Sequence, residues 1–166
     1  MHIRNFEQSD LEAARSLWVD LTEWHRQIYD TPTIGGDDPG RKFDEHLERV
    51  GPDHVWLAER GGRVVGMTAL IPHDGNAELE PIVVAPDCRG RGIGEALART
   101  VLAAARARGD RQLITQPVAR NDSALRFFHH VGFDALGQLE LIMDLRPAEE
   151  QVWRPGVTLA GRAFRV

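Results

Sequence analysis

The chain has 166 residues, 42% of them hydrophobic and 27% charged, with a formal net charge of -5. That length suits one domain with a real core, and the composition excludes a disordered, fibrous or low-complexity protein. The acidic balance argues against a nucleic-acid partner, no run of about eighteen apolar residues marks a membrane span, and the single Cys88 excludes an internal disulfide.

Taken in chain order, residues 2–6 read as a short strand. Ser9 and Asp10 offer an N-cap before Leu11, Ala14, Leu17, Trp18, Leu21 and Ile28, whose helical spacing predicts one long helix or two. The breakers between Thr31 and Gly40 end that run, and a further helix is expected over 41–50 with Phe43, Leu47 and Val50 inward. Two β-rich runs, 54–59 and 64–71, flank Gly61-Gly62, a hairpin signal; a second turn at 73–76 leads to a third strand over 77–84. Ile93, Leu97, Val101, Leu102 and Ala105 then mark a helix over 93–108, closed by Gly109. Residues 112–116 read as a buried strand. Asn121 or Asp122 caps a helix over 123–131 that Gly132 ends, and 139–145 alternates as a last strand. The stretch 157–166 reads as an added hairpin or a contact arm between two copies, and a homodimer is compatible with it.

The chemistry concentrates where the third strand meets the helix at 93. Ile82-Val-Val-Ala-Pro-Asp-Cys-Arg-Gly-Arg-Gly-Ile-Gly-Glu95 sets three alternate glycines between them. Glycine lets backbone N–H groups converge without a Cβ in the way, and a helix start adds partial positive charge, so a pyrophosphate fits this concavity. Arg89 and Arg91 supply charged donors. A dinucleotide fingerprint fails, because the sixth position counted from Gly90 is Glu95; a P-loop fails for want of a lysine after the glycines. Cys88 has no histidine beside it in sequence and reads as an incidental thiol. No Cys/His spacing resembles a zinc site, so no metal is expected.

Val84-Ala-Pro86-x-x-Arg89-Gly-x-Gly92-Ile-Gly94 resembles the acetyl-CoA motif of the GNAT superfamily of N-acetyltransferases. Asn121-Asp-Ser-Ala124-Leu-Arg-Phe127-Phe128-His-His-Val-Gly132-Phe133 resembles its second motif, at the usual separation. The resemblance covers about residues 54–145. It implies an α/β (α+β) fold with a mixed, mostly antiparallel sheet of six or seven strands and helices on both faces. It implies a transferase domain over 1–146, with 147–166 as an extension, and acetyl-CoA as co-substrate. It also implies that Ile82, Val83 and Val84 lie at a bulge whose backbone holds the pantetheine arm. The pyrophosphate would then rest on Arg89, Gly90, Arg91, Gly92, Ile93, Gly94 and Glu95, and Asn121 would contact the arm. A family tyrosine that protonates the departing thiolate corresponds to Phe128, which has no proton to give.

Amine acetylation needs a base, because an ammonium has no lone pair with which to attack. Glu78 and Glu80 lie two apart on the third strand and face the same side, with Glu80 nearer the expected bulge. Glu78 matches the position where some members of the superfamily carry their base. The expected activity is transfer of an acetyl group to a primary amine of a small molecule or peptide, by direct attack in a ternary complex, in a cytoplasmic protein. The rival reading is a catalytically silent domain that senses acyl-CoA or serves as an interaction module.

Overall fold

The computed structural model describes residues 1–166 in two compact units, Met1–Gln116 and Pro117–Val166. In the first, β1 (His2–Asn5), β2 (Val55–Arg60), β3 (Arg63–His73), β4 (Asn76–Val84) and β5 (Leu113–Ile114) form one sheet in that spatial order. The first four strands are antiparallel and β5 runs parallel to β4. A parallel return needs a crossover, and α3 (Ile93–Arg108) supplies it. The sheet carries α1 (Leu11–Tyr29) and α2 (Lys42–Val50) on one face and α3 on the other. Residues 65–70 of β3 are accordingly all buried, as a central strand covered on both faces must be.

The core joins Phe6, Leu17, Phe43, Leu57, Met67 and Leu97. Gly66 of β3 lies under α3. A Cβ there would stand 3.0 Å from Leu97 Cδ1, 3.2 Å from Ile93 Cγ2 and 3.1 Å from the Val83 carbonyl oxygen, so close packing of strand and helix requires the glycine. At the start of the chain, Asp10 does not cap α1 as its position suggested. It is the last residue of a 3-10 turn, Gln8–Asp10. Its buried carboxylate accepts from Arg4 at 2.7 and 2.8 Å and from the Glu7 N–H at 2.8 Å. A cation and a backbone donor already within reach outcompete the helix start.

The second unit contains α4 (Asp122–His130), capped by Asn121, and a separate hairpin of β6 (Pro155–Leu159) and β7 (Arg162–Arg165). The expected strand over 139–145 is corrected, because no ladder forms there and Leu139, Leu141, Met143 and Leu145 are exposed. Alternation describes a residue pattern, whereas a strand also needs a neighbour to pair with. The seven strands therefore divide into five in the main sheet and two in the hairpin, and the strand expected over 112–116 shrinks to two residues.

Candidate active site

The site begins with a defect in the β3–β4 ladder. Thr68 pairs with Ile82 and Leu70 with Leu79, so Ala69 alone stands opposite both Glu80 and Pro81. That is a bulge in β4, of the kind that interrupts pairing and re-aims side chains. The fully buried Thr68 fastens it by donating from Oγ1 to the Pro81 carbonyl at 2.9 Å. On its other side, β4 pairs with β5 only at Ala77 and Glu78, and the Thr115 hydroxyl donates to the Leu79 carbonyl. From Glu80 to Val84 no strand adjoins that edge. Val83 is buried, while Ile82 and Val84 are half-buried.

Both candidate bases lie on this strand, alternating with the buried Ala77, Leu79 and Pro81. The Glu78 side chain is 12% exposed and 3.1 Å from His73 Nε2. The Glu80 side chain is 50% exposed at the bulge, and its Oε2 lies 3.7 Å from Arg49 Nη2. Burial, and then the nearby Glu78 charge, push the Glu80 carboxyl above the usual range, while Arg49 opposes them.

Beyond Val84, a 3-10 turn over Pro86–Cys88 leads into the glycine segment and α3. Gly90 and Gly92 adopt φ of 71° and 76°, the left-handed region that glycine enters without strain. No atom lies within 4 Å of a Cβ built at either, so packing does not demand these glycines. The turn conformation demands them, and it leaves the space before the helix open. The first amide groups of α3 have no intrahelical acceptors, as at any helix start, and face this turn. Ile93 itself is buried, so only its backbone is available, and the Glu95 carboxylate is paired with Arg99 at 2.7 Å. Arg91 is exposed. Arg89 donates from Nε to the Val84 carbonyl at 3.1 Å, and its guanidinium carbon stands 5.4 Å from the centre of the Trp24 ring. Arg63 donates to Asp87 at 2.7 Å and to the buried Cys88 sulfur at 3.1 Å, which gives that thiol a structural partner.

In the second unit, Asn121 Oδ1 accepts from the Ala124 N–H at 3.0 Å and the Ser123 hydroxyl at 2.8 Å. Its carbonyl is thus engaged in capping α4, leaving the amide nitrogen as the end that can serve a ligand. Phe128 is buried, edge-on to Phe127 and Phe133 at 5.2 and 5.4 Å.

Sequence reasoning missed Arg49 and the contact between Trp24 and Arg89. Helical periodicity in α2 marks Phe43, Leu47 and Val50 as inward but says nothing of where an outward arginine reaches.

A bulged strand with an unpaired edge, running through a glycine turn into a helix start, defines an architecture suited to an extended ligand that ends in phosphates. The chain belongs to the acetyltransferase (GNAT) family, whose model matches residues 18–133. Among curated proteins it is 34% identical over 94 residues to N-acetyltransferase 8F1 of Rattus norvegicus, a match that covers 53% of this chain and 42% of that protein. It is also 34% identical over 101 residues to an uncharacterized N-acetyltransferase of Methanocaldococcus jannaschii, covering 57% of this chain and 45% of that one. The matches therefore span less than half the length of these relatives. Among solved structures, a ribosomal-protein-alanine N-acetyltransferase from Brucella melitensis aligns with a TM-score of 0.63 and 29% identity, over 82% of this chain and 86% of that one. The aminoglycoside N-acetyltransferase AAC(6')-Iy in complex with CoA shares the fold, with a TM-score of 0.63 and 20% identity, over 87% of this chain and 95% of that one.

Proposed function

We propose that the protein is an acetyl-CoA-dependent N-acetyltransferase that acetylates a primary amine by direct attack in a ternary complex. The observation that carries this reading is the strand-free edge of β4 from Glu80 to Val84, which continues into the glycine turn and the start of α3. Acetyl-CoA would supply the activated thioester carbonyl. The chain's part is to bind and orient it: Ile82, Val83 and Val84 offer a backbone edge to the amide-bearing arm, in the manner of an added strand. Residues 89–95 offer amide and guanidinium donors to the pyrophosphate. By the family resemblance, the Asn121 amide would contact the cofactor arm and the Phe128 ring would correspond to the thiol end.

Glu80 is assigned as the base. It takes a proton from the acceptor ammonium, directly or through water, which frees the nitrogen lone pair to attack the thioester carbon. The C–N bond forms and the C–S bond breaks; the nitrogen releases its second proton to solvent as the amide forms, and sulfur leaves as a thiolate that takes its proton from solvent. Glu80 is preferred over Glu78 because it is the more open of the two and sits at the bulge, whereas Glu78 is enclosed and engaged with His73. Relatives named for a ribosomal-protein alanine and for aminoglycosides support an amine acceptor, a small molecule or a peptide.

The test is acetyl transfer across an amine panel, read by free-thiol release. Glu80→Gln should slow turnover at neutral pH by roughly a hundredfold or more with acetyl-CoA affinity unchanged. A double variant, Glu78→Gln with Glu80→Gln, that works at the wild-type rate would remove both glutamates from the mechanism. Tight acetyl-CoA binding with no turnover on any amine would favour the silent sensor.

A further inference from the structure

Arg49 occupies the last turn of α2, far from β4 in sequence. Its Nη2 lies 3.1 Å from His46 Nδ1, one turn earlier, and 3.7 Å from Glu80 Oε2. A guanidinium only donates, so His46 Nδ1 must accept and the neutral ring carries its proton on Nε2. His46 is 4% exposed, its ring lies 5.1 Å from the Trp18 ring, and its Nε2 is buried without a hydrogen-bond partner. Of the ring's two nitrogens only Nδ1 is partnered, so it is the acceptor that faces Arg49. Burial, and then the Arg49 charge, hold its pKa down to about 4, so it remains an acceptor throughout the range in which amines are acetylated.

The charges acting on Glu80 are few. Glu78, on the same strand, opposes its ionisation and is itself engaged with His73. From α1, Asp20 lies within the influence of Arg89 and Asp87, and burial favours the neutral form of His25. Arg49 is the cation that acts on Glu80.

We propose that Arg49 is a positioning residue for acetyl transfer: anchored by the buried His46, it holds the Glu80 carboxylate at the β4 bulge in its ionised, proton-accepting form. The proposal rests on the reading of Glu80 as base. Two measurements keep the two separable. Carboxyl 13C NMR, with Glu80→Gln identifying the Glu80 signal, follows its titration without any turnover. The pH profile of kcat/KM then reports the consequence for the reaction. In Arg49→Met the Glu80 titration should move up by roughly half a pH unit, with the acidic limb of kcat/KM moving by the same amount, as suits a half-exposed pair. Arg49→Lys keeps the charge and should hold both near the wild-type values. Arg49 is exposed, so neither variant opens a cavity; Arg49→Met does remove the donor to the buried His46 Nδ1, a cost of about 1–3 kcal/mol that urea unfolding reads separately from the titration. If the Glu80 titration stays put in folded Arg49→Met, the positioning role is overturned, whatever Glu80→Gln does. If the titration moves but Glu80→Gln retains full activity, Arg49 still tunes Glu80 but the base has been misassigned, and the role in transfer falls with it.

Discussion

Glu80 works between opposed influences, and the balance sets where activity should fail. Burial and Glu78 raise its proton affinity, and Arg49 lowers it, for a net upward shift. A base must be ionised to accept a proton, so kcat/KM should fall as pH drops through this raised value, at higher pH than for an ordinary glutamate. Phe128, where the family resemblance would put a tyrosine acid, has no proton to give, but thiols ionise near pH 8.5, so a thiolate can leave without one. Phe128→Tyr should leave turnover unchanged or raise it no more than about tenfold, and the wild-type profile should show no basic limb near pH 10 from this helix. Activity that appears only in Phe128→Tyr would identify the wild-type chain as a silent binder. The glutamate pair was legible in the sequence because strand alternation is local. The arginine that lies 3.7 Å from one of them was not, because its reach is decided by how α2 packs on the sheet.

At the scale of elements, two kinds of glycine do different work. Gly92 permits a left-handed turn with nothing near its missing Cβ, whereas Gly66 lets α3 settle on β3. Gly92→Asp should fold, with strain of about 1–2 kcal/mol, yet bind acetyl-CoA at least tenfold more weakly in calorimetry, since it adds a negative charge where phosphates are expected. Gly66→Ala should instead cost about 1–3 kcal/mol in urea unfolding, because its Cβ meets strand and helix atoms at once. α3 was readable to the residue from its apolar spacing and Gly109, since both signals are local, one along the helix and one at its end. The bulge itself was reached only through the family resemblance. Its cause is a mismatch of register between two strands, which neither strand displays alone. The failed strand at 139–145 has the same origin: its alternation is real, but pairing depends on a partner elsewhere.

For the whole molecule, fold and family rest on 18–133, and no helix is long and apolar enough to cross a membrane. We propose that the transferase domain ends near residue 146 and that 147–166 is an addition to it. Within the second unit the hairpin segment is tied in by Trp153 Nε1, which donates to Asp144 at 2.8 Å, and by Arg120, which donates to the Val152 carbonyl at 3.0 Å. Deleting 147–166 should therefore lower the melting temperature by roughly 3 °C while acetyl-CoA affinity holds. A tenfold loss of affinity would make the tail part of the transferase domain. The open space around Gly90 and Gly92 carries one more consequence, for heredity rather than chemistry. Under selection for soluble protein alone, codons 90 and 92 should admit residues that tolerate the left-handed region, asparagine and aspartate foremost, at a strain cost of about 1–2 kcal/mol, while codon 66 stays fixed. Under selection for acetylation, all three should be held. A library sorted both ways would thus separate what the chain needs in order to exist from what it needs in order to act.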